Sequence, residues 1–87
     1  MLARPILREL KNALEVTPDD PRCYYALGCV YNKMDAVDDA VTAFERAIAL
    51  DPANGRAYYH LGIAYDKKGA GREAREAYRR SEELLAE

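Results

Sequence analysis

Few side chains in this sequence could do chemistry: a single histidine, His60, and two cysteines, Cys23 and Cys29. An imidazole and a thiol can form a nucleophile–base pair, but a third group must orient the base. They can also bind zinc, which takes a fuller set of nitrogen and sulfur ligands at characteristic spacing. Neither set is complete, because no acidic or cysteine pair stands at ligand spacing around His60. On a helix, Cys23 and Cys29 lie roughly 240° apart and about 9 Å along the axis. They therefore cannot form a disulfide within that helix. The expectation is no catalytic residue, no metal ligand and no cofactor, with His60 a groove-lining imidazole and Cys29 an inert thiol. Free thiols point to a reducing compartment, the cytoplasm by default.

The seven tyrosines could stack on bases. Nucleic-acid binding also needs a concentrated basic face. Thirteen Lys and Arg against fifteen Asp and Glu give a net charge of -2, so no nucleic-acid partner is expected. No run approaches the roughly 20 apolar residues that cross a bilayer, and the N-terminus lacks the pattern of a secretory peptide. No membrane partner is expected either. Eighty-seven residues make one small domain, near the lower end of what buries a useful core alone.

The elements that position these residues are set by an internal repeat. Arg22-Cys23-Tyr24-Tyr25-Ala26-Leu27-Gly28 recurs thirty-four residues later as Arg56-Ala57-Tyr58-Tyr59-His60-Leu61-Gly62. The same offset relates Tyr31 to Tyr65, Ala40 to Ala74 and Phe44 to Tyr78. Carried backwards, it relates Phe44 to Leu10, Ala40 to Ile6 and Ala47 to Ala13. The chain is thus half a unit (1–18) followed by two full units (21–54 and 55–87).

Each full unit reads as two helices. Asp20 caps a helix with Pro21 at its first position, running to about Met34, where Asp35 tolerates the left-handed turn. Asn54 and Gly69 take the same places in the next unit. The second helices span roughly Asp38 to Leu50 and Arg72 to Leu85, and a lone counterpart starts near Arg4. The predicted fold class is all-α: five helices in stacked antiparallel hairpins. Tyr24, Leu27, Gly28 and Tyr31 share a packing stripe, as do Tyr58, Leu61, Gly62 and Tyr65. The glycines admit close approach of the partner helix, which presents Ala40, Phe44 and Ala47, or Ala74, Tyr78 and Ser81. That assignment leaves Tyr25 and Tyr59 as the tyrosines free for ligands.

These residues resemble the tetratricopeptide repeat family, whose pattern is W-x2-L-G-x2-Y…A-x3-F…P at a 34-residue period. The first unit matches at Tyr24, Leu27, Gly28, Tyr31, Ala40, Phe44, Ala47 and Pro52. The second matches at Tyr58, Leu61, Gly62, Tyr65, Ala74 and Tyr78, with Ser81 for alanine and Ala86 at the proline place. The resemblance implies a right-handed superhelix, a solenoid of hairpins that acts as a protein-binding scaffold or adaptor, not an enzyme. The partner segment would lie in a groove lined by each unit's first helix. Family members that grip acidic chaperone tails use a lysine and asparagine clamp. Here the asparagine place is Ala26 and the basic pair falls on Arg56 and His60, so that specificity is not expected.

Two surfaces are expected to carry function. Arg22, Ala26, Cys29 and Lys33 form one stripe, and Arg56, His60, Ile63 and Lys67 form its equivalent one unit on, flanked by Tyr25 and Tyr59. Basic at its edges and mildly apolar in the middle, this surface suits a protein or peptide segment with an acidic group and an apolar anchor. The other surface is Ile6, Leu10 and Ala13, whose counterparts in the full units face a first helix that the half unit lacks. A second copy covering them would give a homodimer. At the other end, Val41, Thr42, Ile48 and Ala49 are replaced by Arg75, Glu76, Glu82 and Glu83. A terminal unit needs such a polar outer face, which gives the expectation that the array ends here. The i,i+4 pairs Arg72–Glu76, Glu76–Arg80 and Arg79–Glu83 are expected to brace that helix.

Overall fold

The computed structural model describes residues 3–86. Met1, Leu2 and Glu87, which the sequence reading placed in the first and last segments, lie outside the described residues. The described residues form α1 (Ala3–Val16), α2 (Pro21–Lys33), α3 (Val37–Leu50), α4 (Gly55–Lys68) and α5 (Gly71–Leu85), with no strand among them. Each boundary has a local cause. The Asp20 carboxylate accepts the Arg22 backbone N–H at 2.9 Å, satisfying one of the amides a helix start leaves without partners. Asn54 Oδ1 does the same for Ala57 N at 3.1 Å.

The hairpin turns repeat with the sequence. Asp35 (φ 59°) and Gly69 (φ 81°) occupy the left-handed region, thirty-four residues apart. Ala36 N then donates to Tyr31 O at 2.9 Å, and Ala70 N to Tyr65 O at 2.8 Å. These bonds occupy carbonyls that the helix ends leave open, and glycine, having no Cβ to crowd the backbone, adopts this conformation with the least strain. α3 and α5 follow alanines with no side-chain cap, and instead carry Asp38, Asp39 and Glu73 in their first turns, where the helix dipole favours negative charge. The starts of α1, α3 and α5 fall one residue earlier than the sequence suggests, within the ambiguity of half-helical terminal residues.

Within each hairpin the glycine is a contact point. A Cβ on Gly28 would stand 2.5 Å from Phe44 Cε1, and one on Gly62 would stand 2.7 Å from Tyr78 Cε1. The core lies between the hairpins, where Ala40, Val41 and Phe44 of α3 meet Ala57, Leu61 and Ala64 of α4. Phe44 is fully buried and is the largest side chain of which this is true. α2 and α4 lie against each other, and α1 packs on α2.

Three expectations need correcting. Tyr24, Tyr31, Tyr58 and Tyr65, placed on packing stripes, are only half-buried, although Tyr31 and Tyr65 do pack against the core. They line two repeat-related clefts of about 350 Å3, one shared with Leu27 and the other with Leu61. Of the α3 face assigned to the next hairpin, Val41 is buried and Ile48 packs on the core, but Thr42 and Ala49 are exposed. In α5 the ion pair among the described residues is Arg80–Glu83 at 3.1 Å, an i,i+3 contact in place of the i,i+4 pairs.

Candidate peptide-binding groove

α2 and α4 run side by side because the repeat offset brings matching faces together, and a cleft of about 210 Å3 lies between them. Its lining is Cys29, Asn32, Lys33, His60, Ile63 and Lys67. Five of these belong to the stripes the sequence singled out, and they come from both units. Asn32 was missed. The signal was a polar residue one turn beyond Gly28, on the side of α2 that must face other helices.

Asn32 is only 6% exposed, and its Nδ2 donates to the His60 backbone oxygen at 3.2 Å. Lys67 Nζ returns across the gap, donating to Asn32 O at 2.6 Å and to Asp35 Oδ1 at 3.2 Å. The two first helices are therefore tied by polar bonds in both directions. Asn32 Oδ1 is buried without a hydrogen-bond partner among the described residues.

The remaining groove residues are spread around the cleft rather than in its lining. Arg22 is exposed and held by its own cap, with Nε 3.2 Å from Asp20 Oδ1. That guanidinium keeps the Asp20 carboxyl below the usual carboxylate range. Arg56 is exposed and Ala26 half-buried. The flanking tyrosines differ: Tyr59 is 49% exposed, whereas Tyr25 is half-buried and packs its ring edge against Phe44 and His60. His60 is the hub of this aromatic row. Its ring stacks on Phe44 at 6.0 Å and meets Tyr25 at 5.7 Å and Tyr59 at 5.4 Å.

Burial acts on both reactive groups in the direction that quiets them. It pushes the Cys29 thiol up, against a smaller opposing effect of a hydrogen bond with Tyr25, and it pushes the His60 imidazole down from 6.5. Near neutral pH the cleft thus holds a protonated thiol and an uncharged imidazole, an environment that does not activate a nucleophile. Cys23 is likewise raised, first by burial and then by Asp20. Among the described residues no group of three His, Cys, Asp or Glu side chains is placed to hold a metal ion. Nor is any helix among them long and apolar enough to cross a membrane.

On α1, Ile6 is 45% exposed, and Leu10 and Ala13 are half-buried. Leu7 and Leu14, on the neighbouring stripe of α1, are half-buried.

Comparison with known proteins agrees with this architecture. A model described as TPR repeat matches residues 36–69, and one described as tetratricopeptide repeat matches residues 55–84. A solved structure described as the crystal structure of MamA is similar at 32% identity, with a TM-score of 0.87 over 92% of this chain and 47% of that one. MamA from Desulfovibrio magneticus RS-1, residues 41 to the end, superposes with a TM-score of 0.91 at 27% identity, over 98% of this chain and 48% of that one. The chain thus spans about half the length of the solved structures it matches. No curated protein matches.

Proposed function

Because the chain belongs to the tetratricopeptide repeat family, we propose that it is a binding module, not an enzyme, whose α2–α4 groove receives a segment of a partner protein. The observation that carries this reading is the cleft lining: Lys33, and Lys67 with its Asp35 partner, flank an apolar and aromatic middle, and no carboxylate is among the described lining residues, in a chain whose net charge is -2. A groove of the opposite sign to the molecule favours an acidic group on the ligand, and Ile63 with the His60 and Tyr59 rings favours an apolar anchor beside it. Arg22, Ala26 and Arg56 would form the rim, with Tyr25 packed behind it in the aromatic row. The whole chain acts as one module in this reading, and its free cysteines fit the cytoplasm. The test is selection of peptides from a displayed library on the parent and on the double variant Lys33→Glu, Arg56→Glu. The parent should enrich acidic sequences with an apolar residue and the variant should not. An identical enrichment on both would remove this groove as the binding surface.

A second reading rests on a different surface. Ile6 is 45% exposed on α1, with Leu10 and Ala13 half-buried beside it. Covering what remains exposed would be worth a fraction of the roughly 1.5–3 kcal/mol that burying each fully exposed side chain brings. A second copy presenting the same surface would cover it with a two-fold dimer. Ile6→Glu with Leu10→Glu should then turn a dimer into a monomer in sedimentation while leaving the helical signal intact. A parent that remains monomeric at high micromolar concentration contradicts it.

A further inference from the structure

The position of His60 gives the groove a property beyond charge complementarity. Its ring is enclosed on three sides by Phe44, Tyr25 and Tyr59, so burial has replaced part of its water with aromatic faces. Such a site disfavours the imidazolium unless a negative charge is near. The surrounding elements supply none. α2 contributes the Tyr25 phenol, the Cys29 thiol and the Lys33 ammonium, and α3 contributes the Phe44 ring. α4 adds Arg56, Tyr59 and Lys67, and α5 reaches Tyr59 through Tyr78. Asp35 is engaged by Lys67 at 3.2 Å. With Lys67 paired to Asp35, Lys33 is the other cation in the lining, beside an imidazole that burial alone holds neutral.

We infer that an acidic residue of the docked segment seats in this α2–α4 cleft and draws a proton from solvent onto His60, so that the groove binds more tightly as the pH falls. The inference rests on the groove reading above and adds to it a regulator, the proton. A ligand carboxylate beside the ring supplies the charge that the fold withholds, and its hydrogen bonding or proximity favours the imidazolium. The sign follows from linkage. The free-state midpoint lies below 6.5 through burial, and the ligand raises the bound-state midpoint above it. Affinity therefore climbs as the pH falls through the bound-state midpoint and levels off below the free-state one. The ligand carboxylates themselves stay ionised over most of this window, since glutamate titrates near 4.3.

His60 is the only histidine, so its ring-proton NMR signals report its titration without ambiguity. The probes are an acetylated hexapeptide of alternating Leu and Glu and its twin with Gln for Glu. The acidic peptide should raise the His60 midpoint by about one unit and tighten binding up to about tenfold between pH 7.5 and 5.5. The Gln twin should leave the midpoint in place. His60→Gln should lose the pH dependence, whatever affinity for the acidic peptide it keeps at pH 7.5. Groove amide signals that shift on binding while the His60 midpoint stays fixed would overturn the coupling and leave the docking reading standing. A pH dependence retained in His60→Gln would do the same. An acidic peptide that moves no groove signal at any pH would remove both.

Discussion

The two hairpins are the same device in different surroundings. In the first, Gly28 receives Phe44, whose ring is fully buried because α4 lies across it and His60 stacks on its face. In the second, Gly62 receives Tyr78 in the same register, but that ring is only half-buried and its hydroxyl donates to Asp66 Oδ2 at 2.9 Å. Asp66 in turn stands where the first unit has Asn32, which is buried under α4. The difference teaches that the hairpin contact belongs to the repeat, whereas its polarity is set by whether another hairpin covers it.

Truncating the two rings is the strongest way to break this comparison. Phe44→Ala should cost about 3–5 kcal/mol, since it empties the centre of the core. Tyr78→Ala should cost visibly less, because water already reaches that ring; equal losses in urea denaturation would mean that covering by α4 is irrelevant. Overpacking comes next. Gly28→Leu should destabilise by about 1–3 kcal/mol, and Gly62→Leu by less, as Tyr78 can swing outward where Phe44 cannot. Thermal melts of the two variants side by side decide it, and an unchanged melting temperature for Gly28→Leu would refute the close approach.

A smaller effect is expected from the hydroxyl that distinguishes the second hairpin. Burial first, and then the bond to Asp66, push the Tyr78 phenol up to about 12. Tyr78→Phe should remove that bond at a cost of roughly 0.5–1.5 kcal/mol. In an alkaline absorbance titration it should also delete the highest-titrating phenol. The sign is that of a raised group: the neutral hydroxyl is the bonded form, so its contribution is present below the unfolded value near 10 and is lost as pH rises through about 12. Smallest of all is the turn. Asp35→Gly should stabilise by up to about 1 kcal/mol, because relief of the left-handed strain (roughly 1–2 kcal/mol) is offset by the unfolded-chain freedom glycine adds (about 0.4–1 kcal/mol) and by whatever the exposed pair with Lys67 contributes. Gly69→Asp should destabilise by a similar amount, and matched melts showing no opposition of sign would mean that the two turns are not equivalent.

Much of the fold was legible because it is local. The caps at Asp20 and Asn54, the turns at Asp35 and Gly69, and the glycine–aromatic contacts all follow from residues that act on their own helix or on its hairpin partner. The groove was legible in part: the stripes from Cys29 to Lys33 and from His60 to Lys67 meet as their period implied. Less legible were the side chains that reach between units. Asn32 crosses to His60, Lys67 crosses back, and Tyr25 joins the aromatic row instead of standing free at the rim.

The physical reason is the range of the interactions. A 3.6-residue period, a capping carboxylate or a positive φ is decided by neighbours along the chain, and so the amino-acid order alone implied five helices, two hairpins and their stacking. Exposure, by contrast, depends on what comes to lie above a residue from elsewhere in the sequence. Positions 32 and 66 hold the same register in two copies of one motif. Packing of α4 over α2 buries Asn32, bonds it to His60 and leaves its Oδ1 without a partner, while Asp66 stays in water and accepts a hydrogen bond from Tyr78. The same packing encloses the His60 ring and lowers its affinity for a proton, a consequence no spacing of residues could have announced.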